Sequence, residues 1–312
     1  MTAVATRPRI GFLGLGWIGR NRLEALERSG VAEIGAVADP ALPEALDRLD
    51  ELLQEELDGI VIATPSALHA AQAEAALERG LAVFCQKPLG RSAAEVKRVV
   101  EVARRADRLL AVDLSYRHVQ AVRAVVEAVR SGQLGEVFAG DLVFHNAYGP
   151  DKDWFYDREL SGGGCVIDLG LHLVDVALWA LGDEVTHVSS RLRGEPVEQF
   201  AVAQLDLLGG AVVRVACSWN LQAGQDCVFE ASFYGTEGSA SARNVDGSFY
   251  AFRAEVARDG TRTSLAEPPD DWGGRALVEW AQHLAVDGRF DPRAAQHVRV
   301  AEVLDAIYGR AP

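Results

Sequence analysis

The sequence predicts an α/β protein in which an N-terminal doubly wound parallel sheet precedes an α+β domain with an open, mostly antiparallel sheet. Three observations carry this expectation. Short apolar runs alternate with amphipathic helical segments from residue 9 to residue 114, as in a parallel sheet covered on both faces. Beyond Tyr116 strand-like runs dominate. The 312 residues, at roughly 150 per domain, make two domains, placed at 1–116 and 117–312.

The elements follow in order. Arg9–Leu13 is a continuous apolar run and reads as a buried strand. A glycine-rich turn leads to a helix over Trp17–Ser29, which Gly30 ends at its C′ position. Ala32–Ala38 is a second strand, ending at Asp39-Pro40. Leucines 46, 49, 53 and 57 have helical spacing and predict a helix over Glu44–Leu57. Gly59–Ala63 is a third strand; Ser66 is expected to cap the next helix, and Gly80 to end it. Leu81–Cys85 is a fourth strand. Ser92 and Glu95 form a capping box before a helix with Val96, Val99, Val100 and Ala103 on one face. Leu109–Leu114 is a fifth strand. A helix over Val119–Ser131 opens the second part. Strands follow at Val137–Phe144, Thr186–Leu192, Phe200–Leu208, Ala211–Trp219 and Val228–Tyr234, with Gly209-Gly210 as a hairpin signal. A helix over Val166–Leu181 interrupts them.

Hydrophobic residues make up 49% and charged residues 24%, which excludes a disordered chain, a coiled coil and a collagen. The net charge of −14 argues against a nucleic-acid partner. The start of the chain reads as neither a secretory leader nor a membrane anchor, so no membrane partner is expected. Cys85, Cys165, Cys217 and Cys227 show no C-x-x-C spacing, as expected of reduced thiols in the cytoplasm.

Gly14-Leu15-Gly16-Trp17-Ile18-Gly19 matches G-x-G-x-x-G, between a strand and a helix. Asp39 follows at the end of the second strand, where a carboxylate accepts hydrogen bonds from an adenosine ribose. Gly14 and Gly16 let the backbone turn and approach a pyrophosphate, with amides of Trp17 and Ile18 at the helix start as donors. Gly19 permits close helix–strand packing. The carboxylate of Asp39 favours NAD over NADP by repelling a 2′-phosphate. Arg20 and Arg48 oppose that preference, so NADP stays open.

Only three lysines, Lys87, Lys97 and Lys152, stand among 31 basic residues. Lysine can release its proton near neutral pH and arginine cannot. Lys87, in Gln86-Lys87-Pro88, follows the fourth strand at the edge that lines the ligand crevice of such sheets. There it can bind a substrate oxygen, stabilise developing negative charge or relay a proton; the plain alternative is a solvated loop lysine. Asp168 and His172 lie four apart in an otherwise apolar helix and share one face. They read as a proton-transfer pair, or as a buried pair that only fixes packing. No third ligand is near in the chain, so no metal is expected.

Taken together, these motifs resemble the glucose–fructose oxidoreductase/inositol dehydrogenase/rhizopine catabolism family, Gfo/Idh/MocA. The matching residues are the Gly14–Gly19 turn with Asp39, Ala63-Thr64-Pro65 with His69, Lys87-Pro88, Tyr116-Arg117, and Asp168, Gly170 and His172 in D-x-G-x-H. The resemblance implies a Rossmann domain binding a nicotinamide cofactor and a second domain taking sugars, inositols or their derivatives. It implies Lys87, Asp168 and His172 as the catalytic set. Thr64, Pro65, His69 and Gln86 fall on the cofactor side. Tyr116, Arg117, Tyr148 and Trp154 are expected on the substrate side, and the aromatic stretch that carries Tyr148 and Trp154 serves equally as an oligomer contact. A homodimer or homotetramer through the C-terminal sheet is also implied. The expected function is hydride transfer between the cofactor and a secondary alcohol or ketone of a sugar-like or cyclitol-like substrate. Redox-assisted glycoside cleavage with recycled NAD, and a non-enzymatic NAD sensor, are the alternatives. The chain departs from the family pattern twice. Gln86 stands where the pattern E-K-P has glutamate, and the segment between Asp39 and Gly59 has room for about one helix and a turn.

Overall fold

The computed structural model describes residues 7–42, 45–46 and 48–310. The chain divides into two units, Met1–Ser115 with Gly273–Arg299, and Tyr116–Trp272 with Val300–Pro312.

The first unit holds five parallel strands, β1 (Arg9–Leu13), β2 (Glu33–Ala38), β3 (Gly59–Ile62), β4 (Ala82–Cys85) and β5 (Leu110–Val112). Their order is β2-β1-β3-β4-β5. The helices are α1 (Trp17–Ser29), α2 (Leu49–Leu52), α3 (Ser66–Glu78) and α4 (Ala93–Ala106). Continuous apolar sequence makes β3 and β4 buried along their whole length. Gly30 ends α1 in the left-handed conformation, with its amide on the Leu26 and Glu27 carbonyls. The order reverses between β1 and β3, and that switch point is where open α/β sheets bind ligands, outside the carboxyl ends of the strands.

Three expectations change here. The helix over Glu44–Leu57 shrinks to α2, with Glu44 itself outside the described residues. Leu46 instead makes one parallel bridge to Ala38, its amide on the Val37 carbonyl at 3.0 Å. Ser66 does not cap α3: Pro65 occupies the cap position, and no side chain accepts there. The segment 273–299, expected within 117–312, belongs to the first unit. The physical reason is its helix Arg275–Val286, whose Trp280 and Leu277 complete the core of Ile10, Phe12, Val61 and Phe84. Trp280 and Phe84 pack with ring centroids 5.7 Å apart.

The second unit carries α5 (Gln120–Arg130), β6 (Val137–Asn146), α6 (Arg158–Ser161), a π-helical turn at Val166–Gly170, and α7 (Leu171–Leu181). The remaining strands are β7 (Val185–Arg193), β8 (Phe200–Leu207), β9 (Val212–Ser218), β10 (Cys227–Gly235), β11 (Ser239–Asn244), β12 (Phe252–Arg258) and β13 (Thr261–Ala266). The sheet order is β13-β12-β11-β10-β6-β9-β8-β7. Every neighbouring pair is antiparallel except β6 with β9. In β8 the alternation is plain: Ala201, Ala203, Leu205 and Leu207 are buried, while Phe200 and Val202 face outward. The stretch Arg158–Leu181 is apolar and long enough to cross a membrane, yet most of it is buried in the protein, as in a core helix.

Candidate active site

The residues singled out in the first unit gather at the carboxyl ends of its strands. After β1 the chain turns at Gly14, whose φ is +89°. A Cβ at Gly14 would lie 2.7 Å from the Ala63 carbonyl oxygen, so only glycine fits. A Cβ at Gly19 would lie 2.2 Å from the Gly14 oxygen, which is what brings α1 close to the turn. Gly16 differs, since a Cβ there would meet nothing within 4 Å. Gly16 also stands at the cap position of α1, with no side chain on the first amides. Open space in front of unsatisfied helix amides suits a pyrophosphate. The residues therefore fit a dinucleotide. Trp17 is exposed and Ile18 half-buried beside this space.

Gly16→Ala is thus expected to fold with near-parental thermal stability and to bind NAD at least tenfold more weakly, a loss of roughly 1.4 kcal/mol. Calorimetric titration beside a melting curve checks both. Unchanged binding would remove Gly16 from the cradle.

Asp39 follows β2. One carboxylate oxygen accepts from the Leu15 amide at 2.6 Å and the other from the Ala41 amide at 2.9 Å, which fixes the side chain against the glycine turn. Arg20 donates to the Leu15 carbonyl at 3.1 Å, and Arg48 to Asp50 at 2.9 Å. Thr64 and Pro65 follow β3. Thr64 donates its hydroxyl proton to Gln72 Oε1 at 2.5 Å. His69, on α3, is buried with its two ring nitrogens 2.7 Å from the Pro88 carbonyl and 2.7 Å from the Thr64 carbonyl. It ties together the turns after β3 and β4. Burial, joined by the Lys87 charge, holds its pKa below the ordinary value, against the pull of the two carbonyls.

Gln86 and Lys87 follow β4, with Lys87 half-buried. Asp113 follows β5. Its amide donates to the Cys85 carbonyl at 2.8 Å, which sets Gln86 and Asp113 side by side. The Gln86 side-chain amide donates to Asp113 Oδ2. Arg22 Nε donates to the same oxygen at 2.6 Å, and the Ser115 hydroxyl to Oδ1 at 2.6 Å. Burial raises the Asp113 pKa, but the Arg22 charge and these hydrogen bonds outweigh it and hold the carboxyl below its usual range.

In the second unit the Gly162-Gly163-Gly164 run opens the helix bearing Asp168 and His172. The Glu198 backbone carbonyl accepts from the Cys165 amide at 2.9 Å. Its carboxylate Oε1 accepts from the Gly164 amide at 2.7 Å, the Val166 amide at 3.1 Å and the Tyr308 hydroxyl at 2.7 Å. The Tyr308 oxygen in turn accepts from the Ile167 amide at 3.2 Å. One buried side chain thus holds the amides that a helix start leaves unpaired. The helix expected over Val166–Leu181 opens with a π turn, in which the Leu171 amide reaches back to the Val166 carbonyl. Such turns are common at functional sites.

Asp168 Oδ2 accepts from the Trp219 indole at 3.0 Å. Tyr156 packs on that indole, edge on, at 5.5 Å between centroids. His172 is buried against the Tyr116 ring, 4.8 Å between centroids. Tyr116 also stacks on Phe229 at 4.8 Å, so its ring backs the imidazole from within the core. Arg117 makes a bidentate pair with Asp175 on α7, at 2.7 and 2.5 Å, and lies over the Trp179 ring. Tyr148 is exposed; Trp154 is half-buried and stacks on Phe155 at 3.8 Å. No group of three or more His, Cys, Asp or Glu side chains placed to hold a metal occurs among the described residues.

Residues 8–114 match the family model described as an oxidoreductase family with an NAD-binding Rossmann fold, and residues 122–241 match the Gfo/Idh/MocA C-terminal domain. The rhizopine catabolism protein MocA of Rhizobium meliloti is 30% identical over 259 residues, 76% of this chain and 79% of that protein. The chain belongs to the Gfo/Idh/MocA family. As a member of that family it is an NAD(P)-dependent oxidoreductase. A second relative, D-xylose 1-dehydrogenase (NADP(+)) 2 of Haloferax volcanii, is 31% identical over 294 residues, 90% of this chain and 86% of that one. The 3-ketoreductase KijD10 of Actinomadura kijaniata, solved with NADP and TDP-benzene, shares the fold. Its TM-score is 0.86 at 23% identity, over 97% of this chain and 98% of that one.

Three residues of these hydrogen-bond networks escaped sequence reasoning. Asp113 carried a usable signal, a carboxylate directly after an apolar strand. Glu198 and Tyr308 carried none, because their partners lie 34 and 141 residues away in the chain.

Proposed function

We propose that this protein interconverts a secondary alcohol and a ketone on a sugar-like or cyclitol-like substrate, with NAD as its preferred cofactor. The observation that carries the reading is the Gly16 cradle on the same strand-end edge as Lys87. The sugar substrate named for the xylose relative supports the substrate class.

Gly14, Gly16, Trp17, Ile18 and Gly19 take the pyrophosphate, and Asp39 the adenosine ribose. Thr64, Pro65, His69, Gln86 and Lys87 serve the nicotinamide half. Asp39 disfavours a 2′-phosphate. The preference for NAD rests on the Asp39 carboxylate. The bound nicotinamide supplies or accepts the hydride. His172 takes the hydroxyl proton during oxidation and returns it during reduction. Asp168, held by Trp219, orients the imidazole and stabilises its cation. Lys87 stabilises negative charge developing on the substrate oxygen. Tyr148 and Trp154 offer aromatic faces to the substrate, while Tyr116 and Arg117 shape the wall behind it.

The protein works in the cytoplasm as a homo-oligomer in this reading. The outward Phe200 and Val202 of β8 support self-association. The free Cys165 and Cys217, with Sγ atoms 3.7 Å apart, suit a reducing compartment.

The test is the change in nicotinamide absorbance with NAD and with NADP over a panel of sugars, cyclitols and their keto forms. The reading predicts stoichiometric reduced cofactor from one class, faster with NAD. Glycoside cleavage with no net reduced cofactor, or binding of NAD without turnover, would overturn it.

A further inference from the structure

Gln86 and Asp113 are both deeply buried, at 7% and 1% exposure, and so is Arg22 at 5%. Cys85 of β4 pairs with Val112 of β5, so residues 86 and 113 leave the sheet together. The Gln86 amide donates to Asp113 Oδ2, the oxygen that also accepts from Arg22 Nε at 2.6 Å. Arg22 reaches onward to the Ser115 hydroxyl at 3.0 Å and to the Gly273 carbonyl at 3.2 Å. The arrangement is one acid, one guanidinium and one neutral amide. A second carboxylate at position 86 would face Asp113 with a single cation to share, and buried like charges disfavour one another strongly.

We propose that Asp113 supplies the carboxylate which the E-K-P pattern places at position 86, and that the Gln86–Asp113–Arg22 unit is the device that positions Lys87. The amide at position 86 and the acid at position 113 meet across neighbouring strand ends. Gln86 is therefore not a weakened motif residue. It is the donor that this acid requires, and Gln86 and Asp113 are positioning residues that act through Lys87. The role assigned to Lys87 rests on the function proposed above.

A reciprocal exchange tests it. Gln86→Glu, Asp113→Asn and the double variant are compared with the parent by melting curve, NAD titration, and separate kcat and KM. Each single variant is expected to lose roughly tenfold or more in kcat and to melt earlier, and the double to recover most of both losses, because residues in contact couple rather than add. The loss in kcat should exceed any loss in NAD affinity in each single variant, since a displaced lysine costs turnover more than cofactor binding.

Losses in the double variant equal to the sum of the singles, or a Gln86→Glu enzyme indistinguishable from the parent, would overturn the proposal. Rescue of melting without rescue of kcat would overturn the link to Lys87. If both singles fail to fold, a folded and active double still supports the exchange, and an unfolded double refutes it. Lys87→Ala runs alongside. Full activity in that variant sinks the catalytic reading, whereas an inactive Lys87→Ala with no reciprocal rescue sinks this proposal alone.

Discussion

Replacing Lys87 by alanine is expected to lower kcat/KM by about 10²–10⁴-fold, the usual worth of a positioned proton-transfer or charge-stabilising group. The argument begins with composition. A chain that relies on arginine for nearly all its positive charge keeps a lysine at the carboxyl end of β4, after a strand buried along its whole length. Its neighbours are fixed: Pro88 by His69 and Gln86 by Asp113. Such fixing on both sides restrains the backbone that carries Lys87. Lys87→Arg keeps the charge, but a planar fork replaces the compact ammonium and meets a single substrate oxygen with a different shape. It is expected to keep cofactor binding and to recover little turnover. Steady-state kinetics with an NAD titration separates the two. Normal turnover in Lys87→Ala would remove this residue from the chemistry.

Gly164→Ala is the largest expected stability loss. A Cβ there would sit 1.9 Å from the Glu198 carbonyl oxygen, and the obstacle is backbone, not a side chain that can rotate away. Glu198 cannot retreat without giving up the Cys165, Gly164 and Val166 amides that it holds. A buried carboxylate that loses its donors, added to the clash, belongs among the exceptional substitutions costing more than about 4 kcal/mol. Chemical denaturation measures it. Whatever fraction folds should also lose activity, because the π turn that aims Asp168 starts at these amides. Gly16→Ala makes the contrast, since its Cβ meets open space. Near-parental stability in Gly164→Ala would contradict the clamp.

The first unit was largely legible in the sequence because its signals are local. GIVI and AVFC are continuous apolar runs, and parallel strands covered on both faces must be apolar throughout. Gly30 ended α1 where its left-handed conformation is needed. The residues that the motifs marked in this unit came together at one strand-end edge because the turn after each parallel strand lies there. What stayed illegible depends on distant partners. Trp280 returns to a core begun at Ile10, and nothing near position 280 announces it. The strands β11, β12 and β13 read SASARN, FRAEVAR and TRTSLA, small and charged enough to pass for loop. The π turn forms where Glu198 and Tyr308 draw on the amides before and within it. Helical spacing alone gave Asp168 and His172 a common face, but not the Trp219 indole that holds Asp168.

The most direct measurement follows the hydride itself. A sugar or cyclitol found active with NAD is prepared with deuterium on its carbinol carbon, and the reduced cofactor is recovered for mass spectrometry and NMR. The account predicts one deuterium carried to the nicotinamide ring per turnover, a slowed turnover with the labelled substrate, and label accumulating about 10²–10⁴-fold more slowly in Lys87→Ala. Deuterium found in solvent, or product formed with no label on the cofactor, would contradict it.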